Sequence, residues 1–120
     1  MTAHVVVIED NPQSARLVTK LMERAEIRVT VTDTGESGLE AVFEQHPDLV
    51  LVDLGLPDLD GQTVVGVLRQ QPGFESMRVI AFTAWPPETA EEMAKAYGCD
   101  GVISKPIDTR TFVDQIKSFL

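Results

Sequence analysis

With 120 residues, 43% of them hydrophobic and 6% aromatic, the chain is about the size of one ordinary domain, able to bury a true core but leaving no room for a second. Nineteen acidic against ten basic residues give a net charge of -9, which argues against an intrinsic surface for nucleic acid or anionic membrane. A single cysteine, Cys99, excludes an internal disulfide framework and reads as a small packing residue; with no signal-like segment and no apolar run near roughly 18 residues, a soluble, cytoplasmic protein is expected.

The first element in the chain is a continuous apolar run, His4-Val5-Val6-Val7-Ile8, which ends in acid at Glu9-Asp10. Four or more apolar residues without alternation predict a strand buried on both faces, as in a parallel sheet covered by helices. Asn11-Pro12 starts a helix, the asparagine as cap and the proline in the first turn, and Leu17, Val18, Leu21, Met22 and Ala25 form its inward face. Arg28 to Thr32 is β-branched and more polar, as suits an edge strand. Thr34-Gly35-Glu36 opens a second helix facing inward through Leu39, Val42 and Phe43, and His46-Pro47 ends it because the residue before proline is pushed out of helical space.

Leu49-Val50-Leu51-Val52 is the central strand, and it ends in a lone carboxylate, Asp53, before the loop Leu54-Gly55-Leu56-Pro57-Asp58-Leu59-Asp60-Gly61. An acid there is a nucleophile or metal ligand if it faces the ligand crevice of an open α/β sheet, and merely a turn residue otherwise. Gly61 to Gln71 predicts a third helix with Val64, Val65 and Leu68 inward, stopped by Pro72-Gly73. Arg78 to Thr83 is a fourth strand followed by Ala84, and Pro86-Pro87-Glu88 starts a helix lined by Ala90, Met93, Ala94 and Tyr97 and closed by Gly98. Gly101 to Ser104 is a short fifth strand running into Lys105-Pro106, and Asp108 or Thr109 caps a last helix packed through Phe112, Val113, Ile116 and Phe119. His4 and His46 have no ligand-like spacing and are expected at the surface.

Strands alternating with helices mean parallel βαβ units with right-handed crossovers, and the expected fold is a doubly wound, flavodoxin-like α/β sheet of five strands in the order 2-1-3-4-5. Glu9 and Asp10, Asp53, Thr83 and Lys105 all follow strands and therefore gather at one sheet edge. The strand order reverses between the first and third strands, so the crevice there should hold Asp10 opposite Asp53.

This constellation closely resembles the receiver domain of two-component response regulators. The matching motifs are Val7-Ile8-Glu9-Asp10-Asn11, Val52-Asp53-Leu54 through Leu56-Pro57-Asp58-Leu59-Asp60-Gly61, Thr83-Ala84, and Ser104-Lys105-Pro106-Ile107. Each is weak by itself, whereas four in this order at these spacings are highly specific, and the resemblance covers the whole chain. It implies that Asp53 is the phosphoacceptor, forming an acyl phosphate. Glu9, Asp10, Asp53 and the Gly55 carbonyl would supply hard oxygen ligands for Mg²⁺. Lys105 would bind the phosphoryl group as a compact charge, Thr83 would donate its hydroxyl to a phosphoryl oxygen, and the Lys105-Pro106 peptide would be cis.

Two departures from the family pattern stand out. Val102 occupies a position commonly held by Tyr or Phe, so the family's coupling of an aromatic rotamer to Thr83 is not expected here. Gly55 replaces a larger residue two positions after the acceptor, so the approach to Asp53 is expected to be open. Trp85, two past Thr83, is either a packing residue or, with Ala84, part of the rim of the site. The implied function is that of a single-domain receiver, residues 1–120 without an output domain. It would take a phosphoryl group from a histidine kinase or histidine phosphotransfer protein and signal to a downstream protein target by changing its surface. The resemblance implies no direct nucleic-acid contact and no membrane insertion, and homodimerisation stays open. A receiver excised from a longer regulator is the alternative. An aspartyl phosphohydrolase would carry a second Asp where Gly55 stands, and an FMN-binding flavodoxin-like protein would carry a hydroxyl- and glycine-rich loop after the first strand, where this chain has Glu9-Asp10-Asn11.

Overall fold

The computed structural model describes residues 2–120 and contains five strands alternating with five helices: β1 (His4–Ile8), α1 (Pro12–Arg24), β2 (Arg28–Thr32), α2 (Gly35–Gln45), β3 (Leu49–Asp53), α3 (Gly61–Gln70), β4 (Arg78–Thr83), α4 (Pro87–Tyr97), β5 (Gly101–Ser104) and α5 (Phe112–Phe119). The strands form one parallel sheet in the order β2-β1-β3-β4-β5, as expected. β1 and the apolar part of β3 are wholly buried, whereas edge strand β2 is partly exposed along its length.

Alternate residues of each central strand feed two cores, one per face. Val5, Val7, Leu49, Leu51, Ile80, Phe82 and Ile103 pack against Val18 and Met22 of α1 and Phe112 and Ile116 of α5. Val6, Ile8, Val50, Val52 and Val79 pack against Val42 of α2 and Val64, Val65 and Leu68 of α3. A smaller cluster of Leu54, Ala81 and Ala94 seats α4, with Val102 against it. Gly38 lets α2 lie close to β1, since a Cβ there would fall 2.5 Å from Ile8 Cδ1.

Local capping sets the helix starts. The Asn11 side chain accepts from the N–H groups of Gln13 and Ser14, Thr34 and Ser37 form a reciprocal capping box, and Asp60 accepts from Thr63 N–H. The left-handed Gly98 closes α4, and at His46 the same left-handed geometry ends α2 ahead of the Pro47 break.

Three local expectations are corrected. The last helix begins at Phe112 and is not capped by Asp108 or Thr109; the Asp108 carboxylate instead accepts from Arg110 N–H and holds a turn that delays the helix. Leu17 is not on the covered face of α1 but 40% exposed, because Ala15, Val18 and Met22 take the buried stripe. His4 is not a surface residue: it is 6% exposed, its ring Nε2 pairs with Thr30 Oγ1 at 2.9 Å, and its backbone N–H donates to Asp48 Oδ2. Burial, aided by the nearby Arg28 charge, holds the His4 imidazole below its ordinary pKa despite Asp48.

Candidate functional site

The site is built at the carboxyl edge of the sheet, on the face covered by α1 and α5. Ile8 pairs with Val52, and one step further along these strands Glu9 and Asp53 stand side by side. The ladder continues through Glu9 N–H to Thr32 carbonyl at 2.9 Å, which fixes the Glu9 backbone, and its side chain points into the protein with no exposed surface. Asp10 follows on the exposed rim. Carboxylate oxygens of Glu9, Asp10 and Asp53 lie within 4.8 Å of one another.

From the other side, β5 delivers the single cation of this cluster. Lys105 N–H donates to the Thr83 carbonyl at 2.8 Å, continuing the ladder past β5, and the Lys105-Pro106 peptide is cis, as the resemblance implied. The Lys105 ammonium donates to Glu9 Oε1 and to Asp53 Oδ2, the latter at 3.3 Å. It also lies 4.6 Å from the centroid of the Phe82 ring.

Three acids and one lysine crowded at this edge, Glu9 buried, Asp53 half-buried and Asp10 exposed, cannot all carry charge cheaply. Burial, and the neighbouring Asp53 carboxylate, push Glu9 up to about 7 against the pull of Lys105. Asp53 goes the other way: burial works against its charge, but the adjoining Glu9 carboxyl, the hydrogen bond from Gly55 N–H and the Lys105 charge hold it below its ordinary value. The Gly55 N–H bond to Asp53 Oδ1 is 2.8 Å, so the start of the β3–α3 loop orients the acid. A Cβ on Gly55 would meet only Asp53 Oδ1, at 3.6 Å, so the approach on that side is open, as expected.

Glu9, Asp10, Asp53 and Lys105 are therefore brought together, and Gly55 joins them through its amide. Thr83, nearly fully buried, ends β4 one residue past Phe82, the register partner of Asp53. Its hydroxyl accepts from Trp85 N–H at 3.1 Å, holding the β4–α4 turn. Ala84 is exposed beside it, and Trp85 is 38% exposed. Val102 pairs with Ala81 and fills space against Leu54 and Ala94, so no ring stands behind Thr83 at this position.

Two features of the site's surroundings escaped the sequence reading. Asp58 accepts from the N–H groups of Gly35 and Glu36 at 2.8 and 3.0 Å, tying the β3–α3 loop to the start of α2. Phe82 reads only as a core residue, and the sole available signal was its position next to Thr83 on a strand neighbouring Asp53.

An open parallel sheet of this order, with three carboxylates and a lysine converging beside its switch point, defines an acidic oxygen-ligand site facing a fixed cation. Comparison with known proteins takes this further. Residues 5–117 match the response regulator receiver domain. The chain is 36% identical over 120 residues to the polar-differentiation response regulator DivK of Brucella ovis, covering 100% of this chain and 98% of that relative. DivK of Brucella anthropi is 34% identical over the same shares. In fold, it is similar to the chemotaxis response regulator CheY4 of Vibrio cholerae, with a TM-score of 0.93 and 21% identity over 100% of both chains. A CheY-like receiver domain protein from Methanospirillum hungatei gives 0.86 and 22%, covering 98% of this chain and 93% of that one. The chain belongs to the response regulator receiver domain family of two-component signalling. Membership leaves the phosphohydrolase and FMN-binding readings unsupported.

Proposed function

We propose that this receiver accepts a phosphoryl group on Asp53 from the phosphohistidine of a histidine kinase or a histidine phosphotransfer protein. The observation that carries the reading is the convergence of Glu9, Asp10 and Asp53 within 4.8 Å beside the Lys105 ammonium. Asp53, held anionic at the sheet edge, attacks the phosphorus; the new P–O bond forms as the P–N bond to the donor imidazole breaks, and that imidazole leaves neutral or takes a proton from solvent. Lys105 moves its donation from the Asp53 oxygen to a phosphoryl oxygen, and the Thr83 hydroxyl, released from Trp85 N–H, donates to another. That exchange shifts the β4–α4 turn and alters the surface that a downstream protein reads.

The donor set fits Mg²⁺: Glu9, Asp10, Asp53 and the Gly55 carbonyl are hard oxygen ligands, and three carboxylates facing one lysine leave negative charge that a dication would balance. When bound there, the ion supplies neutralisation of charge on the phosphoryl oxygens. The chain assists its own phosphorylation and dephosphorylation as a signalling phosphoacceptor that turns over no separate substrate. It acts as one receiver unit over residues 1–120, a reading supported by the 98% of DivK that it covers. Its single cysteine and the absence of any helix long and apolar enough to cross a membrane among the described residues support a cytoplasmic setting.

The test is incubation with Mg²⁺ and acetyl phosphate followed by mass measurement. A gain of about 80 Da, one phosphoryl group, is expected in the parent and none in Asp53→Asn. A gain that persists in Asp53→Asn, or no gain in either protein, overturns the assignment.

A further inference from the structure

The geometry points to Phe82 as a positioning residue that holds the Lys105 ammonium through the face of its ring. The inference rests on the reading that Lys105 binds the phosphoryl group. Phe82 pairs in register with Asp53 on one side and Ile103 on the other, so it lies in the same row of the sheet, facing the α1 and α5 side. Lys105 is two residues past Ile103 and returns over that row, placing its Nζ 4.6 Å from the ring centroid. The ring is 1% exposed and is itself fixed by Phe112, with centroids 6.5 Å apart.

An ammonium at a buried edge needs partners in every direction. Two directions are taken by Glu9 and Asp53, whose oxygens demand aligned N–H groups. The third is taken by the ring, whose negative face attracts a cation without claiming a particular proton. This difference matters during transfer. The phosphoryl group removes the charge from the Asp53 oxygen that Lys105 uses, so the ammonium must turn towards a new acceptor. Glu9 pulls it back; the ring face lets it swivel while remaining compensated. An aliphatic residue at position 82 would fill the same space but leave that side of the ammonium without an electrostatic partner, and Lys105 would settle on Glu9.

Replacing Phe82 by 4-fluoro-, 3,5-difluoro- and 3,4,5-trifluorophenylalanine drains the ring face stepwise at nearly constant shape. The readout is the initial rate of phosphorylation by acetyl phosphate in Mg²⁺, followed by mass, alongside melting curves. The logarithm of the rate should fall with each fluorine, reaching a loss of about threefold to tenfold for the trifluoro ring, as expected for a partly desolvated cation–π contact. Melting temperatures should stay close to the parent's. Phe82→Leu should lose at least as much, and in a Lys105→Ala background the residual rate should not depend on fluorination. If the parent is phosphorylated and its rate is flat across the series, or if the trend survives in Lys105→Ala, Phe82 merely packs. No phosphorylation of the parent overturns the phosphoacceptor reading and this inference with it.

Discussion

Glu9→Gln isolates the cost of crowding acids at the site. The Glu9 side chain has no exposed surface, and the fold raises it from an ordinary 4.5 to about 7. A folded state that holds a proton more tightly than the unfolded chain is favoured by acid: the contribution is fully present below about pH 4.5 and is lost as pH rises through about 7. At about 1.4 kcal/mol for each tenfold change in proton affinity, the ceiling on that loss is about 3 kcal/mol, and water entry and adjustment of Lys105 reduce it. Asp53, held below its ordinary 3.8, keeps its own contribution constant above pH 5, so it does not distort the comparison. Glutamine keeps the shape of Glu9, still accepts from Lys105, and never ionises. In chelator at pH 8 the variant should therefore melt higher than the parent by between about 4 and 12 °C, the shift that 1 to 3 kcal/mol produces in a chain of this size. At pH 5, where the parent keeps most of this contribution, the gap should shrink to about a quarter of that at pH 8. Equal melting temperatures at pH 8, or a gap that is the same at both pH values, would refute the crowded-site argument.

Three further outcomes are expected. Gly38→Ala drives a Cβ to within 2.5 Å of the buried Ile8 side chain and should cost about 1–3 kcal/mol in urea titrations. Asp58→Asn weakens the two bonds to the start of α2 and should lower the melting temperature at neutral pH. Because those N–H donors hold the Asp58 carboxyl below its ordinary 3.8, the difference should vanish as acid protonates the parent below that value. For the acyl phosphate, Trp85→Ala should shorten its lifetime several-fold by admitting water, since a tenfold change needs only about 1.4 kcal/mol of barrier. A bulky residue at the open Gly55 position should lengthen it, and phosphate release in Mg²⁺ after removal of the donor decides both.

Much of this was legible in local pattern because the physics responsible is local. Unbroken apolar runs at Val5–Ile8 and Leu49–Val52 demand burial on both faces, Asn11 and Thr34 announce helix starts, and the alternation of strand and helix leaves a parallel sheet as the solution. Parallel strands joined by right-handed crossovers must end on one edge, so residues as far apart as Glu9 and Lys105 were placed at the same site without any contact being known.

Tertiary structure decided what depends on distance and burial. His4 looked like a terminal surface residue until Asp48 and Thr30, 44 and 26 positions away, closed over it. Leu17 satisfied the helical period yet stayed exposed, because the period defines a stripe and packing chooses its width. Asp58 reaches back 23 residues to Gly35, a pairing that only the docking of the β3–α3 loop on α2 creates. The opposed pKa shifts of Glu9 and Asp53 arise from shared burial and a shared lysine, and the Phe82 ring meets Lys105 only because sheet register stacks them in one row. Residue type and spacing select the elements and the edge on which they end, whereas charge balance at that edge depends on separations of a few ångströms between side chains that are neighbours only after the sheet has formed.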